Sequence, residues 1–258
     1  MPKAPDATQT TPPPAPGRPR DKVRLRFRKA GALRLLSHHD LLRTFERMLR
    51  RAALPICRTH GFHPHPRVVF ALSLPLGVVG REEVVELELD EEVAPEEVRA
   101  RLARTAPPGL EVLSARRIDP KAGARVRGLC YGVAVPAERV PDVARRVAEV
   151  LAAGECWVER TRPPRRRLDL KPFLNDLRLR TEEGGGPAFL EMGLRLTPAG
   201  TARPEELLEL LGLKDLLEAG AVLERTRLEL EDETHPDETP ERPGPADAGP
   251  RTIIPPCS

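Results

Sequence analysis

Five of the six histidines lie within residues 31–77, so this stretch could carry acid–base or metal chemistry. A neutral imidazole can take a proton from an RNA 2′-hydroxyl, and a nearby arginine can stabilise the developing phosphate charge. A reaction of this kind would use His38 or His63, and Asp40 is a further catalytic candidate. The histidines of the stretch are His38, His39, His60, His63 and His65.

Metal binding is another interpretation of these histidines. The HExxH zinc pattern is absent, and helix neighbours such as His38 and His39 point about 100° apart. His63 and His65 could share a face in extended backbone. The four cysteines lack CxxC spacing, and the sequence has no P-loop, GxGxxG or GxSxG motif. We therefore predict neither a metal nor a bound cofactor.

A structural role competes with catalysis at the start of the stretch. Ser37 can cap a helix, with Asp40 three residues later in a capping-box-like arrangement. Apolar residues then recur at helical spacing over residues 41–52, and Pro55 ends the pattern. His38 lies at the edge of the buried face, so it could equally be held against the following loop.

The segment THGFHPHPR, residues 59–67, indicates a constrained loop. Its two prolines fix their own φ angles and push His63 and His65 toward extended geometry. The residues with a predicted structural role in the cap and loop are Ser37, Gly61, Phe62, Pro64 and Pro66.

Basic residues crowd the same part of the chain. Residues 21–80 carry a net charge of +9, whereas the whole chain carries +3. An arginine face could bind nucleic-acid phosphates, and the ordinary alternative is a solvated helix face. The first and third strands lack aromatic pairs for base stacking, so we expect backbone-led, salt-sensitive binding. The predicted contacts are Arg43, Arg47, Arg50, Arg51, Arg58 and Arg67, with a second group at Arg165, Arg166, Arg167 and Lys171.

Hydrophobic periodicity places these motifs on a β-α-β-β-α-β order, which is typical of ferredoxin-like folds. The predicted strands are residues 23–28, 68–74, 84–90 and 110–118. The second helix starts at Pro95. In such a fold the first and third strands are neighbours, so Arg24 and Arg26 should face Glu86 and Glu88.

The same element order returns in the second half of the chain. The predicted strands are residues 129–135, 156–160, 187–196 and 222–230. Helices open at Pro141 and Pro204. We therefore expect an α+β protein of two ferredoxin-like halves, residues 21–119 and 128–230, with a basic insertion at residues 161–180.

The two ends are predicted to be disordered. Residues 1–20 form a Pro-rich leader, and residues 231–258 form an acidic, Pro-rich tail. The leader lacks an apolar signal segment, and no apolar run is long enough to span a bilayer. Together with the scattered cysteines, these features predict a cytoplasmic protein without membrane contact.

The run from Arg24 to Gly77 contains Ser-His-x-Asp-Leu, Gly-Phe and Pro-x-Pro-Arg segments, and it resembles the radical SAM-linked family DUF2344. The segment Leu168–Phe173 is similar to a second motif of that family. The resemblance implies a radical SAM partner encoded nearby, often with a cobalamin-binding domain, and a setting close to rRNA or tRNA. The CxxxCxxC cluster motif is absent, so this chain would be the companion and not the radical enzyme.

We therefore expect a non-catalytic companion of a radical SAM enzyme that binds RNA, or presents an RNA substrate, through the basic helix and the His/Pro loop. Two alternatives stay open. The chain could be an RNA-acting enzyme that uses His38 or His63. It could also be a structural adaptor that docks the radical SAM partner through its second half without RNA contact.

Overall fold

The computed structural model describes residues 21–160, 166–181 and 188–233. The predicted leader lies outside these residues, as do part of the predicted insertion and all but the first three residues of the predicted tail. Among the described helices, none combines the length and apolar character needed to cross a membrane.

A large mixed sheet packed against helices defines the α+β class of the protein. The first half contains β1 (Asp21–Lys29), α1 (His38–Arg51), β2 (Val68–Phe70), β3 (Val79–Leu89), α2 (Pro95–Ala103) and β4 (Leu110–Arg117). The second half contains β5 (Val126–Val135), α3 (Val140–Ala152), β6 (Trp157–Arg160), β7 (Arg166–Asp169), β8 (Leu174–Arg180), β9 (Ala188–Arg195), α4 (Pro204–Leu210), α5 (Lys214–Glu218) and β10 (Glu224–Leu230). The strands of the sheet follow the order β4-β1-β3-β10-β5-β9-β8, and β2 pairs with β3 beside this path.

The apolar periodicities of the sequence account for the core of the first half. Alternate residues of β1 and β3 face the apolar stripe of α1, because side chains repeat every second residue in a strand and every 3.6 in a helix. Phe27 and Phe45 meet edge to face, with ring centroids 5.0 Å apart. The buried set includes Val23, Leu25, Phe27, Leu41, Phe45, Met48, Leu49, Val85 and Leu87. Full burial of one such side chain stabilises the fold by about 1.5–3 kcal/mol.

β3 joins the two halves of the chain. Residues 85–87 of β3 pair with β2, whereas Val79 and Gly80 pair in parallel with Glu224 and Arg225 of β10. Both halves therefore belong to one continuous sheet.

This joint shortens β2 relative to the predicted strand 68–74. β10 occupies the adjoining part of the β3 edge, so the chain leaves the sheet after Phe70. The guanidinium of Arg225 donates to the carbonyl oxygen of Ser73 at 3.1 Å. This hydrogen bond takes the place of a backbone hydrogen bond from a neighbouring strand.

The described part of the predicted insertion 161–180 contains the strands β7 and β8. β8 pairs with β9 at one edge of the main sheet, while β6 pairs with β7 in a separate two-stranded ribbon. The second sheet strand of this half is thus β8 and not the predicted strand 156–160. On β8, Leu177 and Leu179 alternate with exposed arginines, a pattern that suits a half-buried edge strand.

The β1–β3 register confirms one predicted charge pair and corrects the other. Arg24 lies opposite Glu86, and its Nη2 donates to the carboxylate at 2.8 Å. Arg26 lies opposite Val84, and Lys22 lies opposite Glu88. The strands are antiparallel, so moving up β1 means moving down β3, and Arg26 cannot meet Glu88.

A buried ion pair lies at the joint between the halves. Arg225 of β10 and Glu83 of β3 are both almost fully buried, and the Arg225 Nε donates to the carboxylate at 2.8 Å. Gly80 makes the contact sterically feasible, because a Cβ there would lie 2.4 Å from the Glu83 Cγ. A charge this deep is tolerated only when it is paired.

Substitution of Arg225 by Ala should therefore destabilise the protein by about 3–5 kcal/mol, because Glu83 would be left buried without its partner. Urea unfolding followed by circular dichroism measures this change. Arg178→Ala, at an exposed position of β8, should cost below about 0.5 kcal/mol and serves as the control. Equal unfolding midpoints for the two variants would contradict the importance of the joint.

The described chain ends with a short acidic segment laid on the same sheet, on the face that carries Arg24. Asp232 accepts from the Arg24 Nη1 at 2.8 Å, and Glu233 accepts from Arg26 and from Arg116, the latter at 2.7 Å. Burial opposes ionisation of Asp232, but hydrogen bonding and charge from Arg24 outweigh it and hold the pKa of that carboxyl below its ordinary value. Burial likewise opposes ionisation of Glu233, and Arg26 and Arg116 hold its pKa below the ordinary value.

Lowered pKa values in the folded state stabilise the fold above the ordinary pKa values of 3.8 for Asp232 and 4.5 for Glu233, and this stability is lost as the pH falls through the folded-state values. The doubly neutral Asp232→Asn/Glu233→Gln variant lacks this contribution. The stability gap between wild type and variant should therefore be widest near neutral pH and should shrink in acid. Denaturant titrations from about pH 7 down to about pH 3 test this, and a pH-independent gap would refute it.

Candidate nucleic-acid interface

The predicted cap of α1 is confirmed. The Ser37 Oγ accepts from the Asp40 backbone N–H at 3.2 Å and donates to the Asp40 carboxylate at 2.7 Å. The Asp40 carbonyl oxygen also accepts from Thr44 one turn later, at 2.8 Å. Asp40, a catalytic candidate by sequence, is therefore engaged in starting the helix.

The histidines are spread over two elements. His38 opens α1, and its ring packs edge to face on Phe70 with centroids 5.3 Å apart. His63 lies at the exposed end of the following loop, and its ring contacts Phe62. Within residues 21–160, 166–181 and 188–233, no side chain hydrogen-bonds to either imidazole, and no group of three metal-ligating residues is assembled.

The loop stands beside α1 and is braced by its own backbone. Thr59 N–H donates to the His65 carbonyl oxygen, and Arg67 N–H donates to the Cys57 carbonyl oxygen, both at 2.8 Å. The His65 Nδ1 lies 3.7 Å from the Glu46 carboxylate of α1. The structure thus brings together the basic helix and the His/Pro loop.

The arginines of α1 are exposed and occupy one broad face. Arg47 and Arg51 are four residues apart, and Asp40 lies two helical turns before Arg47, so the three residues line one flank of the helix. With Arg104, which follows α2, they border an open groove of about 830 Å³ whose apolar floor includes Met48. Arg43 and Arg50 point to solvent beside this groove.

Most of these arginines have no acidic partner within the described part of the chain. No described carboxylate lies within 4.0 Å of the guanidinium of Arg47, Arg50, Arg51 or Arg104, and Arg43 approaches Asp40 at 3.7 Å. The structure therefore presents a strongly positive helix face.

The two remaining predicted RNA contacts near the loop, Arg58 and Arg67, differ in their hydrogen-bond partners. Arg58 is exposed and lies near the Pro64 carbonyl oxygen, at 3.5 Å. Arg67 donates to Glu88 at 2.8 Å, and this hydrogen bond raises the pKa of the Arg67 guanidinium. Arg58 can extend the basic surface, whereas Arg67 already has a partner.

The second predicted basic group does not form a single surface among the described residues. Arg165 and the Arg166 side chain lie outside them. The Arg167 guanidinium stacks over the Trp157 ring, 5.0 Å from its centroid. The Lys171 ammonium donates to the carbonyl oxygens of Val150 and Leu151, both at 2.9 Å, and so caps the C-terminus of α3.

Sequence reasoning missed Arg104. It comes just after α2, outside the stretch where basic residues are dense, and only the packing of α2 beside α1 brings it to the groove. One sequence feature could have indicated Arg104. It lies just before Pro107 and Pro108, which end the helix, and basic side chains are common near helix C-termini.

The sheet topology and the basic helix define an α+β protein with a candidate polyanion-binding surface. Residues 22–204 match the family model of DUF2344, described as uncharacterized proteins conserved in bacteria. The chain belongs to this family. No curated protein matches the sequence.

Three solved structures illustrate how distant the structural similarities are. A chain in a Cbf5–Nop10–Gar1 complex is 15% identical with a TM-score of 0.42, and the match covers 80% of this chain and 48% of that one. This chain thus spans about half the length of that match. An unknown protein from Galdieria sulphuraria is 14% identical, covering 81% and 98%, with a TM-score of 0.24. A putative glycine cleavage system transcriptional repressor is 8% identical, covering 81% and 96%, with a TM-score of 0.21.

Loss of the α1 cap should be measurable. Ser37→Ala should destabilise the protein by about 1 kcal/mol, since the Asp40 N–H would lose its acceptor. Ser37→Asp supplies another good capping oxygen and should remain near wild type. Thermal unfolding of the three proteins tests the cap, and identical midpoints for the Ala and Asp variants would argue against it.

Proposed function

We propose that this chain binds RNA through the exposed arginine face of α1 and the adjoining groove, as a non-catalytic companion of a cytoplasmic enzyme. One observation carries the proposal: Arg47, Arg50, Arg51 and Arg104 are exposed together, with no carboxylate within 4.0 Å among the described residues. Nucleic-acid phosphates are natural partners for such a surface.

Arginine pairing on other helices of the chain supports a binding role for the arginine face of α1. On α3, Asp142 accepts from Arg145 at 2.6 Å and from Arg146 at 2.9 Å. On α2, Glu97 accepts from Arg101. These three arginines pair with acids about one turn away. On α1 only Arg43 approaches such an acid, Asp40 at 3.7 Å, so an external polyanion is the better explanation for the other arginines of that face.

The geometry suits phosphate contact without base readout. Side chains one helical turn apart lie about 5–6 Å from each other at Cβ, so Arg47 and Arg51 can reach phosphates of one strand. Guanidinium groups bind phosphate oxygens through two parallel hydrogen bonds. Arg104 closes the opposite side of the groove. Binding would therefore position the RNA and would release counterions.

Replacement of the three groove arginines by alanine, Arg47/Arg51/Arg104→Ala, should weaken RNA binding by about tenfold or more at low salt. It should also reduce the slope of log affinity against log salt by about 2, because three phosphate contacts are lost. Filter binding to total RNA at several salt concentrations measures both quantities.

A matched control separates the site from overall charge. Arg145/Arg178/Arg180→Ala removes the same formal charge from the second half, at exposed arginines that pair with neighbouring acids. This control should bind nearly as wild type. Equal losses in the two triple variants, or no salt-sensitive retention by wild type, would overturn the proposal.

The strand orders support the finer fold assignment. Within the first half the order is β4-β1-β3-β2, and within the second half it is β10-β5-β9-β8. In each half the first strand along the chain lies between the last and the third, as in ferredoxin-like domains. We therefore retain two ferredoxin-like halves, fused through β3 and β10, as the proposed architecture.

The partner enzyme is proposed from the family resemblance. A radical SAM protein, of the cobalamin type by that resemblance, would receive the RNA held on α1, and this chain would supply no cluster of its own. Co-expression with the radical SAM protein of the same genome, followed by size-exclusion chromatography, tests the association. Separate elution of the two proteins, with and without RNA, would remove this partner.

A further inference from the structure

Phe62 is the most exposed large apolar side chain of the described residues, at 98% of its full accessibility. Aromatic residues make up only 3% of the chain, and the other five phenylalanines are buried or half-buried. Leaving a phenylalanine in water forfeits the stabilisation that its burial would provide. Phe62 is therefore an exposed aromatic ring, uncovered by the described part of the chain, in a protein with few aromatic residues.

The loop that carries Phe62 holds the ring away from the protein surface. The two sides of the loop are joined below its tip by the Thr59–His65 and Cys57–Arg67 backbone hydrogen bonds. Thr59 Oγ1 also accepts from His65 N–H at 3.0 Å. Gly61 has a φ of +127°, a conformation that other residues rarely adopt. The ring is therefore presented on a braced turn, which lowers the entropy lost on binding.

The surroundings of the ring indicate the chemistry of the ligand. The residues beside it at the tip, His60, Gly61, His63 and Pro64, are all exposed and form no apolar patch. Arg58 lies at the base of the same loop, and the His65–Glu46 contact places the loop alongside the arginine face of α1. A flat apolar ring among cationic and imidazole groups matches a nucleobase attached to a phosphate backbone.

We propose that Phe62 is a stacking platform for an unpaired base of single-stranded RNA whose backbone lies along the arginine face of α1. This inference rests on the proposed function and narrows its ligand to RNA with an accessible, unstacked base. Aromatic side chains stack on bases without sequence preference, so the contact selects for strand state and not for sequence. His63, in edge-to-face contact with Phe62, supports the ring from one side.

Fluorescence anisotropy with three labelled ligands of equal length tests this inference: a single-stranded RNA, the same strand with abasic sugars, and a blunt RNA duplex. Phe62→Ala should weaken single-strand binding by about 5- to 150-fold, the range expected for one lost stacking contact. Binding of the abasic strand and the duplex should not change, because their contacts are to phosphates. The salt slope should also stay as in wild type.

A fluorescence measurement uses Phe62→Trp combined with Trp157→Phe. The tryptophan at position 62 is then the only one of the chain and reports directly on stacking. The double variant should retain single-strand affinity, and its fluorescence should be quenched by the RNA and not by the abasic strand. Phe62→Leu keeps an apolar side chain without a flat ring and should behave like Phe62→Ala.

The outcomes distinguish failure of the stacking role of Phe62 from failure of RNA binding by the arginine face of α1. Wild-type affinity of Phe62→Ala for the single strand, or an equal loss on the abasic strand, overturns the stacking role while the arginine surface stands. Absence of salt-sensitive binding by wild type overturns both. Thermal unfolding of Phe62→Ala should match wild type, since the ring makes no core contact.

Discussion

The buried pairing of Arg225 with Glu83 is the constraint on which the rest of the molecule depends. It ties β10 to β3 at the only place where the described strands of the two halves run side by side. The same guanidinium donates to the Ser73 carbonyl oxygen, just beyond the end of β2. The loop and helix that form the candidate interface are thus positioned partly by a residue near the far end of the chain.

The arginines of this protein fall into two groups, those paired with acids on the sheet and those exposed on α1. On the sheet face opposite the helices, Arg24 and Arg26 are matched by Glu86 and by the acidic segment at Asp232 and Glu233. On α1, the arginines are left exposed and most of them lack a described acidic partner. Internal pairing stabilises the fold, whereas the unpaired face keeps its attraction for an outside anion.

Local patterns were enough to predict the cap at Ser37 and the helix α1, because these features depend on residues that are close in sequence. The contact of Arg24 with Glu86 also required the predicted fold, in which the first and third strands are neighbours. The parallel pairing of β3 with β10 could not be predicted in this way, because it involves only two residue pairs and leaves no periodicity. β8 was not predicted as a strand, because its charged residues indicated a basic insertion. An edge strand needs apolar residues on one face only, so such charges are compatible with it. Phe62 was predicted as a structural residue, but in the structure its side chain is almost fully exposed to solvent.

The distance along the chain between Glu83 and Arg225 has a consequence for the time course of folding. The two residues are 142 positions apart, so at about 5–20 residues per second the ribosome needs roughly 7–30 s to supply the second after the first. Throughout that interval the nascent chain carries a carboxylate without its partner and an unpaired stretch of strand edge. The first half therefore lacks this ion pair and this strand pairing until β10, the last described strand, has been made.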